Sequence, residues 1–135
     1  MEDVLTQAKK AKGAAKILRE AGTVQKDRFL LLLAKLLEEE SERILEENKK
    51  DIDAADGITS AMRKRLELSE GSLIKMAAAV RSLAAFPDPV GEVAKSWTRE
   101  DGLKISKVRT PIGVIACIFE SRPNVIIDVA SICIK

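Results

Sequence analysis

The chain has 135 residues, a net charge of +2 and no His, with 46% hydrophobic and 33% charged residues. This length suits about one domain with a real core, and the balance argues against both intrinsic disorder and a membrane protein. The missing His excludes a histidine base, a Ser-His-Asp triad and every His-containing metal site within this chain. Two Cys, Cys117 and Cys133, are too few for a disulfide scaffold or an all-cysteine zinc site, so no metal site is expected.

Residues 1 to about 86 read as helices. Val4, Leu5, Ala8, Ala11, Ala15 and Leu18 recur at helical spacing across an amphipathic first segment, residues 1–20. That segment mixes five basic with three acidic residues and has no uninterrupted apolar stretch, so it is not a signal peptide. Gly22 is expected as a C-terminal cap and Thr23 as an N-cap. One long helix should follow, burying Phe29, Leu30, Leu33, Leu36, Leu37, Ile44 and Leu45. Residues 48–51 continue it with a kink or start a new turn, and Gly57 breaks the pattern. Ser60 to Leu68 is short and basic, with Arg63, Lys64 and Arg65 read as a solvated face. Ser69 can cap a last helix that buries Leu73, Ile74, Met76, Ala77, Val80, Leu83 and Ala84, ended by Pro87 and Pro89.

Residues 90–135 change character. Residues 93–98 and 103–108 are strand candidates, joined by a turn in which Asp101-Gly102 is a strong hairpin signal. Ile112 to Phe119 is predicted to be a strand buried on both faces, and from its length it cannot span a bilayer. Glu120 to Asn124 forms a polar turn, and residues 124–134 carry the helical stripe Val125, Ile126, Val129, Ile132. Strand, turn and helix in that order open a parallel α/β sheet. Lys135 follows without a helix stop, and the strand has no neighbour. The expectation is therefore the N-terminal part of a larger protein.

The turn is the most informative segment. It would lie at the carboxyl end of a parallel strand, where open α/β sheets bind ligands. Pro123 suits the first helical position, the free N–H groups behind it attract anions, and Arg122 adds charge. Two readings stand: a site for an anion, cofactor or substrate, or an N-cap with a surface salt bridge. The turn lacks the G-x-G-x-x-G dinucleotide fingerprint. Cys117 and Cys133 are expected to be buried, without a base to activate either thiol. Trp97 is expected to pack. A nucleic-acid interface needs aromatics on a basic face, and only residues 63–65 supply basic residues in a cluster.

Residues 111–125, Pro-Ile-Gly-Val-Ile-Ala-Cys-Ile-Phe-Glu-Ser-Arg-Pro-Asn-Val, resemble the marking segment of the gamma-glutamyl phosphate reductase family of the aldehyde dehydrogenase superfamily. Residues 47–51, 65–68 and 88–92 resemble it too, in the same order, so the likeness covers essentially the whole chain. It implies an α/β fold of three parts. Residues 1–89 would be an N-terminal helical segment. Residues 90–110 would be the β-hairpin of an oligomerisation arm, making a homo-oligomer. Residues 111–135 would be the first strand–helix unit of a Rossmann-like NADP-binding domain, with the catalytic domain outside this chain.

It also implies a reaction, the NADPH-dependent reduction of L-glutamyl 5-phosphate to L-glutamate 5-semialdehyde and phosphate, in cytoplasmic proline biosynthesis. A downstream cysteine would be the nucleophile, so no catalytic residue is expected here and the chain alone should be inactive. By the resemblance, Phe119 and Glu120 would contact the cofactor. Ser121 or Asn124 would serve the oxyanion, and Arg122 would bind substrate carboxylate or phosphate. The expected partner is a small-molecule substrate, with neither nucleic acid nor membrane. The alternatives are a truncated helical interaction module derived from such an enzyme, or another aldehyde dehydrogenase.

Overall fold

The computed structural model describes residues 3–135. Six helices and one two-stranded antiparallel sheet follow in the order α1 Val4–Leu18, α2 Thr23–Glu39, α3 Ser41–Ala54, α4 Ser60–Leu66, α5 Glu70–Ala84, β1 Val93–Thr98, β2 Lys104–Val108, α6 Pro123–Ile134. They divide into two compact units, residues 1–23 with 86–116 and residues 24–85 with 117–135. No helix among the described residues is long and apolar enough to cross a membrane.

The first unit holds α1 and the hairpin. The helix expected over residues 1–20 is α1, and its Met1 and Glu2 lie outside the described residues. Asp3 caps it, accepting from the Thr6 N–H at 2.9 Å. None of its side chains is buried, so its apolar stripe faces solvent. Gly22 is no left-handed cap: Arg19, in helical geometry, ends the helix instead. Thr23 Oγ1 donates to Asp88 Oδ2 at 3.1 Å. The hairpin forms as its sequence predicts. Gly102 takes φ +87°, which a side chain would resist, and Asp101 Oδ1 accepts from the Leu103 N–H. Trp97 pairs with Ile105 across the strands, and a bulge lies between Val93 and Lys95. Lys95 Nζ stands 5.6 Å over the Trp97 ring, which is exposed rather than packed in a core.

The second unit contains the core. Leu30, Ala34 and Leu37 of α2 meet Leu73, Met76, Ala77, Val80 and Ala84 of α5. Leu33, Ile44, Leu45, Leu68, Leu83 and Ile127 close the margin. Spacings of three and four put these residues on facing stripes. The long helix predicted over this region is two helices, because Glu40 (φ −97°, ψ 15°) leaves helical geometry. Phe29, Leu36 and Ile74, expected inside, are exposed. Helical period locates a face but not its angular width, and Ala34, too small to draw notice, occupies the centre instead.

Polar contacts fix the helices of this unit. Ser69 and Ser72 form a capping box at the start of α5. Arg81 of α5 donates to both carboxylate oxygens of Glu38 on α2, at 2.6 and 2.5 Å. These bonds hold the Glu38 carboxyl below the usual carboxylate range. A lowered folded value stabilises above the ordinary carboxylate range and is lost as pH falls through it. Lys135 is buried, with Nζ bonded to Asp27 of α2 and to the Ala84 carbonyl of α5 at 2.9 Å. Asn48 of α3 is also buried. Its amide nitrogen donates to the Leu66 carbonyl at 2.9 Å, and its oxygen accepts from the Leu68 N–H at 2.8 Å. Asn48→Ala strands both backbone groups. It is expected to cost about 2–3 kcal/mol, measured by urea denaturation.

The strand predicted over residues 112–119 is absent: the segment has neither helix nor ladder and is exposed throughout, with Ile118 fully so. A strand exists only through bonds to a neighbouring strand, and the sheet of the described residues contains β1 and β2 alone. Cys117 is therefore exposed, contrary to its expected burial. Cys133 is exposed as well. The inward face of α6 is set by Ile127 and Ser131, so Ile126 and Ile132 point outward and the predicted stripe is rotated.

Candidate functional site

The polar turn forms where the sequence places it. Residues 120–122 carry no regular structure, and Pro123 opens α6 at its first position. Proline fixes φ there and lacks the N–H that would go unpaired. Arg122 is the N-cap residue but makes no side-chain capping bond. The first-turn N–H groups of α6 thus present the positive end of the helix dipole toward the loop. The N-cap half of the alternative reading is not realised.

The other half is realised. Glu120 is held from outside the turn, because Arg65 Nη1 of α4 donates to its Oε2 at 2.6 Å. Both side chains remain about half exposed. Ser121 lines a cleft of ≈ 370 Å³ together with Asp51, Ala55, Ile58, Met62 and Leu66. Ala55, Ile58, Met62 and Leu66, from α4 and the segment before it, make the cleft largely apolar, and Asp51 and Ser121 are its polar residues. Asn124 is partly occupied elsewhere, donating from its side-chain nitrogen to Asp128 Oδ2 at 3.1 Å. Of the two oxyanion candidates, Ser121 therefore lines the cleft, while the Asn124 amide is bonded along its own helix. Arg122 is exposed, and among the described residues its guanidinium makes no ion pair. Phe119 is also exposed beside Glu120.

The structure thus brings Glu120, Ser121 and Arg122 to one loop at the start of α6, backed by α4. Such a loop can bind an anion through Arg122 and the helix terminus, and can donate a hydrogen bond from Ser121. Residues that position it were not foreseen. The sequence places Arg65 in a basic cluster expected to be a solvated face, whereas in the structure it pairs with Glu120. Arg63 instead caps α3, donating to the Ile52 and Ala55 carbonyls at 3.3 and 3.5 Å. No local signal separates Arg65 from Arg63, because its partner lies 55 residues away. Among the described residues, no cluster of three or more His, Cys, Asp or Glu side chains is arranged to hold a metal ion.

No protein-family model matches the chain. It is 48% identical over 135 residues to gamma-glutamyl phosphate reductase of Moorella thermoacetica, covering 98% of this chain and 32% of that protein. It is 49% identical over 137 residues to the enzyme of the same name from Carboxydothermus hydrogenoformans, covering 100% of this chain and 33% of the other. The crystal structure of gamma-glutamyl phosphate reductase from Thermotoga maritima superposes with a TM-score of 0.92 at 38% identity, over 98% of this chain and 33% of that one. The Saccharomyces cerevisiae enzyme gives 0.89 at 32% identity, over 99% of this chain and 35% of that one. The chain therefore spans about a third of the length of the relatives it matches. Over that third its α/β fold is that of the solved reductases.

Proposed function

We propose that this chain is the N-terminal part of a gamma-glutamyl phosphate reductase, a cytoplasmic enzyme of proline biosynthesis. It would reduce L-glutamyl 5-phosphate to L-glutamate 5-semialdehyde and phosphate. The observation that carries this reading is the likeness along the whole chain to proteins of that name, at 48–49% identity and a TM-score of 0.92. The anion-receptive loop at Glu120–Asn124 supports it, because the substrate carries a carboxylate and a phosphate. The alternative of another aldehyde dehydrogenase is disfavoured by the same likeness.

The roles assigned on this reading are as follows. Arg122 binds an anionic group of the substrate as a bidentate donor. Ser121 donates its hydroxyl to the oxygen that gains charge at the reacting carbon, and Asn124 takes that part if its bond to Asp128 opens. NADPH, when bound, supplies the hydride. The residues present fit part of that cofactor. Phe119 offers an exposed ring face and the start of α6 offers N–H donors, but the turn has no glycine cradle for a pyrophosphate. Phe119 and Glu120 would thus flank the reactive end of the cofactor, and the remaining contacts would come from chain beyond residue 135. That chain would complete a Rossmann-like domain begun by residues 111–135 and pair the segment 112–119 as a strand. Residues 90–110 would form the arm of a homo-oligomer, a reading supported by the exposed Val93, Trp97, Leu103 and Val108. Residues 1–89 would be the N-terminal helical segment.

The nucleophile would lie in the same downstream part, so the 135 residues alone are expected to be inactive. In the complete enzyme, Cys117→Ser and Cys133→Ser are each expected to leave thioester formation with the substrate intact, followed by mass spectrometry of the trapped acyl-enzyme. Loss of the adduct in either folded variant overturns the assignment. The reading as a whole is tested by assaying the complete enzyme in reverse, with glutamate 5-semialdehyde, phosphate and NADP. A folded enzyme that forms no NADPH refutes it.

A further inference from the structure

Arg65 occupies the last turn of α4, and α4 is unusually well anchored for a helix of seven residues. Asn48 bonds the Leu66 carbonyl and the Leu68 N–H, on either side of its end. Arg63 ties it to the terminal carbonyls of α3. Leu66 lines the cleft together with Ser121. From this frame Arg65 reaches Glu120, in a segment with no regular structure of its own. Glu120 is also the acidic residue nearest to Arg122 in the sequence, two positions before it. Left unpaired, that carboxylate would compete for the Arg122 guanidinium and repel an anionic substrate arriving at the loop.

We propose that Arg65 is a positioning residue of the reductase site: by pairing with Glu120 it fixes the 119–122 loop to α4 and keeps Arg122 available for the substrate anion. This rests on the reductase reading given above. An ion pair with both partners about half exposed adds little to folding stability, so its value lies in where it puts charge. Removing Arg65 should act on substrate binding and loop order while leaving the fold in place.

The test uses the complete reductase. Arg65→Gln is expected to raise KM for glutamate 5-semialdehyde about tenfold with kcat within about twofold, and Arg65→Lys to retain most of the wild-type KM. Placed in a Glu120→Gln background, Arg65→Gln should change KM by less than about twofold, since the charge it answers is gone. Hydrogen exchange of residues 119–126 should quicken in Arg65→Gln and stay near wild type in Arg65→Lys. Equal KM effects in both backgrounds, or unchanged exchange in Arg65→Gln, overturn the proposal. If the wild-type enzyme shows no reductase activity, the reductase reading fails, and the exchange result still decides whether Arg65 orders the loop.

Discussion

Arg122→Ala in the complete enzyme is expected to lower kcat/KM at least about tenfold, the scale of one lost charge-assisted hydrogen bond of about 1.5–3 kcal/mol. The direction follows from the site. Arg122 stands at the N-cap of α6 without a capping bond, and its neighbour Glu120 is already paired with Arg65. Its guanidinium therefore has no structural task among the described residues, and its loss should spare the fold. Thermal melting of the variant should match wild type while steady-state kinetics show the deficit. Unchanged kinetics would remove Arg122 from the site.

Leu30→Ala is expected to destabilise the helical unit by about 2–5 kcal/mol. Leu30 is fully buried on α2 and belongs to the cluster that joins α2 to α5. Truncation removes apolar contact area and leaves a cavity that its neighbours fill only in part. Surrounding residues such as Ala34 and Ala77 are too small to reach into the gap. Denaturant unfolding followed by far-ultraviolet circular dichroism measures the loss. A shift below about 1 kcal/mol would mean that α2 and α5 do not form the core together. Leu36, on the same helix but exposed, is the control: Leu36→Ala should change stability little.

Much of the candidate site was legible because its determinants are local. Pro123 opens a helix through its own ring geometry, and the N–H groups behind it are free by the arithmetic of any helix start. Asp101 and Gly102 close their hairpin through a short-range bond and a positive φ. Ser69 caps α5 within three residues. The likeness of residues 120–124 to a reductase family was likewise carried by adjacent residues, and relatives along the whole chain bear the same name.

What the sequence by itself determined was local: the helical character of residues 4–84 though not the break at Glu40, the hairpin and its turn, and the helix opened by Pro123. Tertiary structure alone decided which apolar residues are covered and which charges meet. Arg65 finds Glu120 across 55 positions and Lys135 finds Asp27 across 108, while Asn48 clamps the end of α4 from another helix. It also decided that Ile112 to Phe119, apolar and β-branched, is no strand here. Propensity belongs to a residue and its near neighbours, whereas burial, ion pairing and strand formation each need a second group that only folding brings within reach.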